Sequence, residues 1–485
     1  MNGLLRKKTI VEQPKGAQLA RTLSWPHLVA LGVGAIVGTG ILTLIGVGAD
    51  RAGPAVLVSF VVAGAICAGA ALCYAEMATA IPASGSAYTY SYVELGEIIA
   101  WFVGWSLILE YSLVVATVAV GWSGYAVGFV DGLGRYGVPP VPELLRHGPS
   151  VAGDLWRGTL HLTQMGVNLP AVVIIAVVAG LLSLGTQESA RINTALVVLK
   201  IATLALFVAV ALPHFDAANL HPFAPHGWGS IAGAGGVKYG MVGAAAIIFF
   251  AFYGFDAIST AAEEAKRPER DLAIGIIGSM VACTLIYLIV AATAVGALGF
   301  QRFAKSPEPL ALILRGIGQD RVATIVAAAA AIALPTVILG FLYGQSRIFL
   351  VMARDGFLPE RLARLSRRGT PARITLVTAL FVSVIAALTP LDVIASLANA
   401  GTLCAFVAVA ACVLVRRRRG AAERGFRTPA ARVVAPLTIA GCLFLFWSLQ
   451  RVTQGSFLVW NAVGLLVYFA YARPRARLQH REIKG

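Results

Sequence analysis

Charge is scarce in this chain. Asp, Glu, Lys and Arg supply 13% of its 485 residues, and 58% are hydrophobic, where soluble domains carry about 25% charged and about 45–50% apolar residues. No soluble surface could be covered with so few charges, and a disordered chain could not leave so much apolar surface in water. Other signals are missing as well. The six cysteines, Cys67, Cys73, Cys283, Cys404, Cys412 and Cys442, form no CxxC pair and all lie inside apolar stretches, so they read as small packing residues rather than zinc or redox ligands. There is no HExxH, GxSxG or Walker A run and no TVGYG-type filter, which removes the usual hardware of an enzyme or a potassium channel. Residues 1–27 carry five basic residues and no apolar core before Leu28, which excludes a secretory signal there and reads as a cytoplasmic tail.

What is present is a series of long apolar runs. A spanning helix needs about 20 mostly apolar residues, and twelve such stretches are found, among them 28–49, 97–127, 191–212, 239–262 and 322–350. Membrane barrels are built from short alternating segments instead, so the class is an all-α membrane protein. With the N-terminus placed inside, most Lys and Arg fall on the cytoplasmic side, and both termini are expected there. The net charge of +16, from 39 basic and 23 acidic residues, is thus read as cytoplasmic anchoring in a lipid bilayer, not as a nucleic-acid surface. The run Arg416–Arg419 fits a topology anchor or a contact with anionic headgroups.

Two spans are interrupted. The first holds Gly34-Ala-Ile-Val-Gly38-Thr39-Gly40-Ile41 and the sixth holds Phe249-Phe250-Ala251-Phe252-Tyr253-Gly254-Phe255-Asp256. Each interior Gly costs a helix about 1 kcal/mol and permits non-helical backbone. Such backbone is tolerated at membrane depth only where it is enclosed by protein or lines a cavity. Close helix packing through small residues is the other reading of Gly34 and Gly38. Interruptions five spans apart fit two five-helix halves, and broken segments at matching places in two halves point to a transporter binding site.

These motifs carry a family resemblance. The Gly34–Ile41 run resembles the first-helix signature of the amino acid–polyamine–organocation superfamily. Phe252-Tyr-Gly-Phe-Asp256 through Glu263-Glu264 resembles the sixth helix of its cationic amino acid transporter branch, and Pro82–Tyr88, Leu107–Tyr111, Gly344–Arg347, Arg354–Gly356 and Leu397–Thr402 resemble other segments of that branch. The resemblance implies a five-plus-five inverted repeat of the leucine-transporter type with broken helices 1 and 6, plus two C-terminal helices. The expected divisions are a tail at 1–27, repeats at 28–212 and 239–415, the last two spans at 432–472 and a cytoplasmic tail at 473–485. The resemblance also implies a permease of a bacterial inner membrane that moves an L-amino acid by alternating access, with no cofactor beyond a coupling proton. Exchange of amino acids or polyamines is the alternative, and a transporter-derived sensor a more distant one. Ser106 departs from the branch, where an Asp is expected.

An amino acid zwitterion needs donors for its carboxylate and acceptors for its ammonium. Backbone N–H groups at Gly38, Thr39 and Gly40 offer the first, and the carbonyls of Ile36, Phe250, Ala251 and Tyr253 the second. Phe255 fits either an aromatic lid or core packing. Three ionisable residues interrupt spans: Glu110, Lys200 and Asp256. Intramembrane charge is expensive and usually functional. Lys200 lies nine residues past Arg191, about 13 Å along a helix, which puts it near the midplane. In proton-coupled relatives an amine here replaces a sodium ion, so Lys200 is expected to bond a carbonyl near Gly34–Ile36 and to couple protons. Glu110 fits a second proton site or a buried structural acid. Asp256 could meet a substrate, a proton or the fold itself. Glu76 and Arg347, near cytoplasmic helix ends, could close an inner gate as an ion pair or stay apart. The side-chain end of the pocket is expected near Thr336–Gly340, with a neutral or a cationic substrate both open.

Overall fold

The structure, a computed structural model, describes residues 5–8, 23–83, 85–134, 137–152, 161–183, 190–233, 236–304, 306–359, 372–420 and 425–476. Most of the expected N-terminal tail, the end of the C-terminal tail, Ser84 of the Pro82–Tyr88 motif and the side chains of Arg191 and Glu263 lie outside the described residues.

The chain is helical almost throughout. The first span is divided into α1 (Trp25–Ile36), α2 (Thr39–Leu42) and α3 (Leu44–Ala52). The next are α4 (Val56–Ala80), the short α5 (Ser86–Glu94), α6 (Glu97–Gly132), a single turn α7 (Glu143–Arg146), α8 (Leu169–Ser183) and α9 (Ala190–Ala211). The sixth span consists of α10 (Met241–Ile248), a 3-10 turn at Phe249–Phe252 and α11 (Ala257–Thr260). There follow α12 (Pro268–Ala297), α13 (Pro309–Gly316), α14 (Asp320–Ala333), α15 (Pro335–Arg354), α16 (Ala372–Leu388), α17 (Leu391–Arg418), α18 (Ala431–Ser448) and α19 (Arg451–Val467). Among the described residues nine helical stretches are long and apolar enough to cross a membrane, and Trp25–Ile36, Leu169–Ser183 and Ala372–Leu388 are shorter apolar helices. All twelve expected spans have helical counterparts. The eighth is not continuous: Pro335 has no N–H to give α14, so the chain restarts as α15 with Pro in its first turn.

The most enclosed stretches are α6, α17 and the broken sixth span, with 72–83% of their apolar windows buried, against 28–33% for α18 and α19. The last two spans are therefore peripheral. They are still tied in by side chains. Trp105 donates its indole N–H to Trp460 O at 2.9 Å, Trp460 donates back to Trp105 O at 3.0 Å, and the rings stack at 4.9 Å. Trp101 donates to Gly464 O at 2.8 Å. Ser106 Oγ donates to Asn461 Oδ1 at 3.0 Å, so this departure from the family pattern serves the α6–α19 contact.

Candidate functional site

The two breaks meet. A Cβ on Gly40 would fall 2.3 Å from Ala251 Cα, a distance only glycine permits. A Cβ on Gly254 would fall 2.7 Å from the carbonyl carbon of Ala35, and Gly254 itself has φ +111°, a conformation L side chains rarely adopt. Each interrupted span thus presses its glycine onto the backbone of the other, which explains why the glycines cluster where they do.

Broken helices release backbone groups that need partners. In α1 the last helical bond runs from Val37 N to Val33 O at 2.8 Å. The next carbonyl, Gly34 O, would accept from residue 38 in an unbroken helix. Lys200 Nζ from α9 takes it instead, at 2.7 Å, with Lys200 only 3% exposed. Ile36 O accepts from the Tyr287 hydroxyl of α12 at 2.7 Å. Nothing in the local sequence marked Tyr287, because its role depends on which helix lies beside the break.

On the sixth span Asn399 of α17 donates Nδ2 to Ala246 O at 2.6 Å and to Ile247 O at 3.3 Å, carbonyls near the end of α10. Its Oδ1 accepts from the Tyr253 hydroxyl. Phe250 O accepts from Tyr253 N at 3.3 Å. The Gly254 N–H, which would continue the turn onto Ala251 O, goes to Asp256 Oδ1 at 3.2 Å, and Tyr111 OH reaches Asp256 Oδ2 at 3.4 Å. Asp256 therefore caps the break from within its own span. Of the four expected acceptor carbonyls, Ile36 and Phe250 are already engaged.

The other expected residues are placed as follows. Gly38 separates α1 from α2, and a Cβ there would lie 3.3 Å from Val337 Cγ2 of α15. Thr39 and Thr43 have buried hydroxyls without partners among the described residues, both turned toward Gly121 of α6. The Phe250 ring lies 4.8 Å from Tyr253. Phe255 is fully buried, its ring 5.1 Å from Phe406 and 5.7 Å from Tyr74, which is a packing position in this conformation. Glu110, 1% exposed, sits on α6 against Gly401, and its Oε2 has no hydrogen-bond partner among the described residues.

Of the two readings left open for Glu76 and Arg347, the structure shows the one in which they stay apart. Glu76 receives Arg417 Nε at 2.8 Å and Nη2 at 3.0 Å, along with Thr428 N at 2.8 Å. Arg347 reaches Glu264 Oε1 at 3.3 Å and lies over the Tyr343 ring at 4.2 Å. The cause is sequence-distant packing: α17 brings its basic end against α4, while α15 ends beside the segment that follows α11. The same packing gives the Arg416–Arg419 run intramolecular partners as well, because Arg416 and Arg419 pair with Glu94 at 3.0 and 3.4 Å. At this end Lys8 Nζ meets Asp355 at 2.7 Å, and Tyr88 OH donates to the same carboxylate at 2.8 Å. At the opposite end Arg51 meets Asp392 at 3.5 Å. Glu308, outside the spans, pairs with Arg315; burial pushes its carboxyl above the ordinary range and Arg315 holds it back.

With this arrangement in place, the comparisons with known proteins are decisive on family. The sequence model of the amino acid permease family matches residues 23–470. The chain belongs to that family. The permease is 42% identical over 481 residues to the branched-chain amino acid permease BcaP of Bacillus subtilis (strain 168), covering 98% of this chain and 99% of the relative. It is 39% identical over 485 residues to the methylthioribose transporter of the same organism, covering 99% and 100%. The vacuolar cationic amino acid transporter 4 of Arabidopsis thaliana is 33% identical over 429 residues, 86% of this chain and 67% of the relative. The permease is accordingly an amino acid transporter of the amino acid–polyamine–organocation superfamily and not an enzyme.

Proposed function

We propose that this permease imports a neutral, branched-chain L-amino acid together with a proton by alternating access between repeats 28–212 and 239–415, with both termini cytoplasmic in a bacterial inner membrane. The observation that carries the coupling is the Lys200 ammonium on Gly34 O at the first break. A protonated amine holds the released carbonyl firmly, and a neutral amine holds it less well, so proton occupancy and the shape of the break are linked. The substrate carboxylate is read by backbone N–H groups at Gly38, Thr39 and Gly40 and its ammonium by the carbonyls of Ala251 and Tyr253.

A neutral side chain is favoured by what surrounds the breaks. Phe250, Tyr253 and Val337 are apolar or aromatic, and the nearby acid Asp256 is already occupied by Gly254 N and Tyr111. The relatives named for branched-chain substrates support the same reading. The test is uptake into proteoliposomes under an imposed pH gradient. Leucine, isoleucine and valine should accumulate when the outside is acidic. Strict one-for-one exchange without a proton requirement would favour the exchanger, and preferential uptake of arginine or methylthioribose would overturn the substrate assignment.

A further inference from the structure

The end of the molecule that carries the Arg51–Asp392 pair holds a cavity of about 940 Å³, within the range of about 300–1,000 Å³ usual for small-molecule sites. Its wall combines Asp50 and Arg302 with His226 and the apolar Phe300, Pro225 and Leu312. None of these belongs to the central site.

The position of Asp50 follows from helix geometry. Gly46 and Asp50 are spaced i, i+4 on one face of α3, and Gly53 ends that helix at φ +61°. A Cβ on Gly46 would lie 3.2 Å from Phe303 O, and one on Gly53 would lie 2.5 Å from Pro225 Cγ and 3.4 Å from Phe300 Cε1. Asp50 lies between these two glycines in the chain and lines the cavity together with Pro225, Phe300 and Ala304. Arg302 lines the same space, exposed. No ion pair joins the two among the described residues. One acid and one base that share a cavity without pairing, next to an apolar wall, match a ligand carrying both charges on one carbon and an aliphatic group beside it.

We propose that this cavity is a receiving site for the zwitterionic amino acid, ahead of the central one: Arg302 takes the carboxylate, Asp50 the ammonium, and Phe300, Leu312 and Pro225 the side chain. The inference rests on the substrate reading above. It also links arrival to opening. Asp50 and Arg51 are neighbours on the last turn of α3, and Arg51 turns away to Asp392 while its carbonyl accepts from Gly240 N at 2.8 Å. A ligand held by Asp50 acts on the turn that carries the pair.

Equilibrium binding of radiolabelled leucine to the purified full-length permease tests this. Wild type should bind two molecules per chain, and Asp50→Asn and Arg302→Gln one each. Both variants should raise the KM for uptake about tenfold, the loss of one charge-assisted contact, with kcat little changed. As a second measurement, Ser306→Cys on the cavity wall should react with an impermeant maleimide, and leucine should slow that labelling. One molecule per wild-type chain together with unprotected labelling overturns the receiving site while leaving the transport reading intact. Failure of wild type to bind or transport leucine at all overturns both.

Discussion

Lys200 Nζ lies 2.7 Å from Gly34 O, on the first carbonyl that the break in span one releases. A buried carbonyl stripped of its partner costs about 1–3 kcal/mol, so the amine stabilises the broken shape as well as carrying a proton. Lys200→Ala should abolish leucine accumulation driven by a pH gradient, while leucine still raises the melting temperature of the purified protein. Accumulation that still follows the gradient in this variant would refute coupling through Lys200.

Gly40 should tolerate no side chain. Ala there places a carbon 2.3 Å from Ala251 Cα, and backbone cannot step aside cheaply. Gly40→Ala is expected to reduce initial uptake at least tenfold, about 1.4 kcal/mol or more on the transport barrier. Gly180→Ala on α8, where a Cβ meets nothing within 4 Å, should transport normally and melt no lower than wild type, since Ala favours helix by about 1 kcal/mol. Radiolabelled uptake and thermal unfolding of the pair compare the two.

Asp256 is expected to act through hydrogen bonding, not charge. Asp256→Asn keeps an oxygen for Gly254 N and should retain most uptake. Asp256→Ala leaves that N–H buried and unpaired at the break, and uptake should fall at least tenfold, with a lower melting temperature. If Asn is as damaging as Ala, the carboxylate charge itself is required.

A double-mutant cycle distinguishes the partner of Glu76. Glu76→Gln with Arg417→Gln should show a coupling of about 1–2 kcal/mol in thermal stability, as expected for a bidentate, partly buried pair. Glu76→Gln with Arg347→Gln should be additive within about 0.5 kcal/mol. Coupling to Arg347 instead of Arg417 would restore the simple inner gate.

The breaks and Lys200 were legible because each violates the apolar monotony of its own span: glycines in a helix, an amine at mid-depth. What answers them was not. Tyr287 and Asn399 sit in ordinary-looking helices, and their roles arise only when α12 and α17 are laid beside the ends of α1 and α10. Arg417 looked like topology because a basic run at a helix end serves topology whether or not acids wait nearby. The restart of the eighth span at Pro335 stood in the sequence, yet apolar periodicity alone runs straight through it. Local composition reports the cost of an unusual residue; the partner that meets the cost comes from tertiary packing.

The indoles of Trp105 and Trp460 answer each other in opposite directions. Two reciprocal bonds resist sliding either way along the helix axes, so α6 and α19 are held in one register. The glycine contacts between the two broken spans carry no hydrogen bond of their own among the described residues; the bonds that join these spans lie at their ends, Gly240 N to Arg51 O at 2.8 Å at one and Leu23 N to Glu264 O at 3.0 Å at the other. The first and sixth spans are thus pinned at their ends and only fitted in between, at the breaks where the proposed substrate would lie.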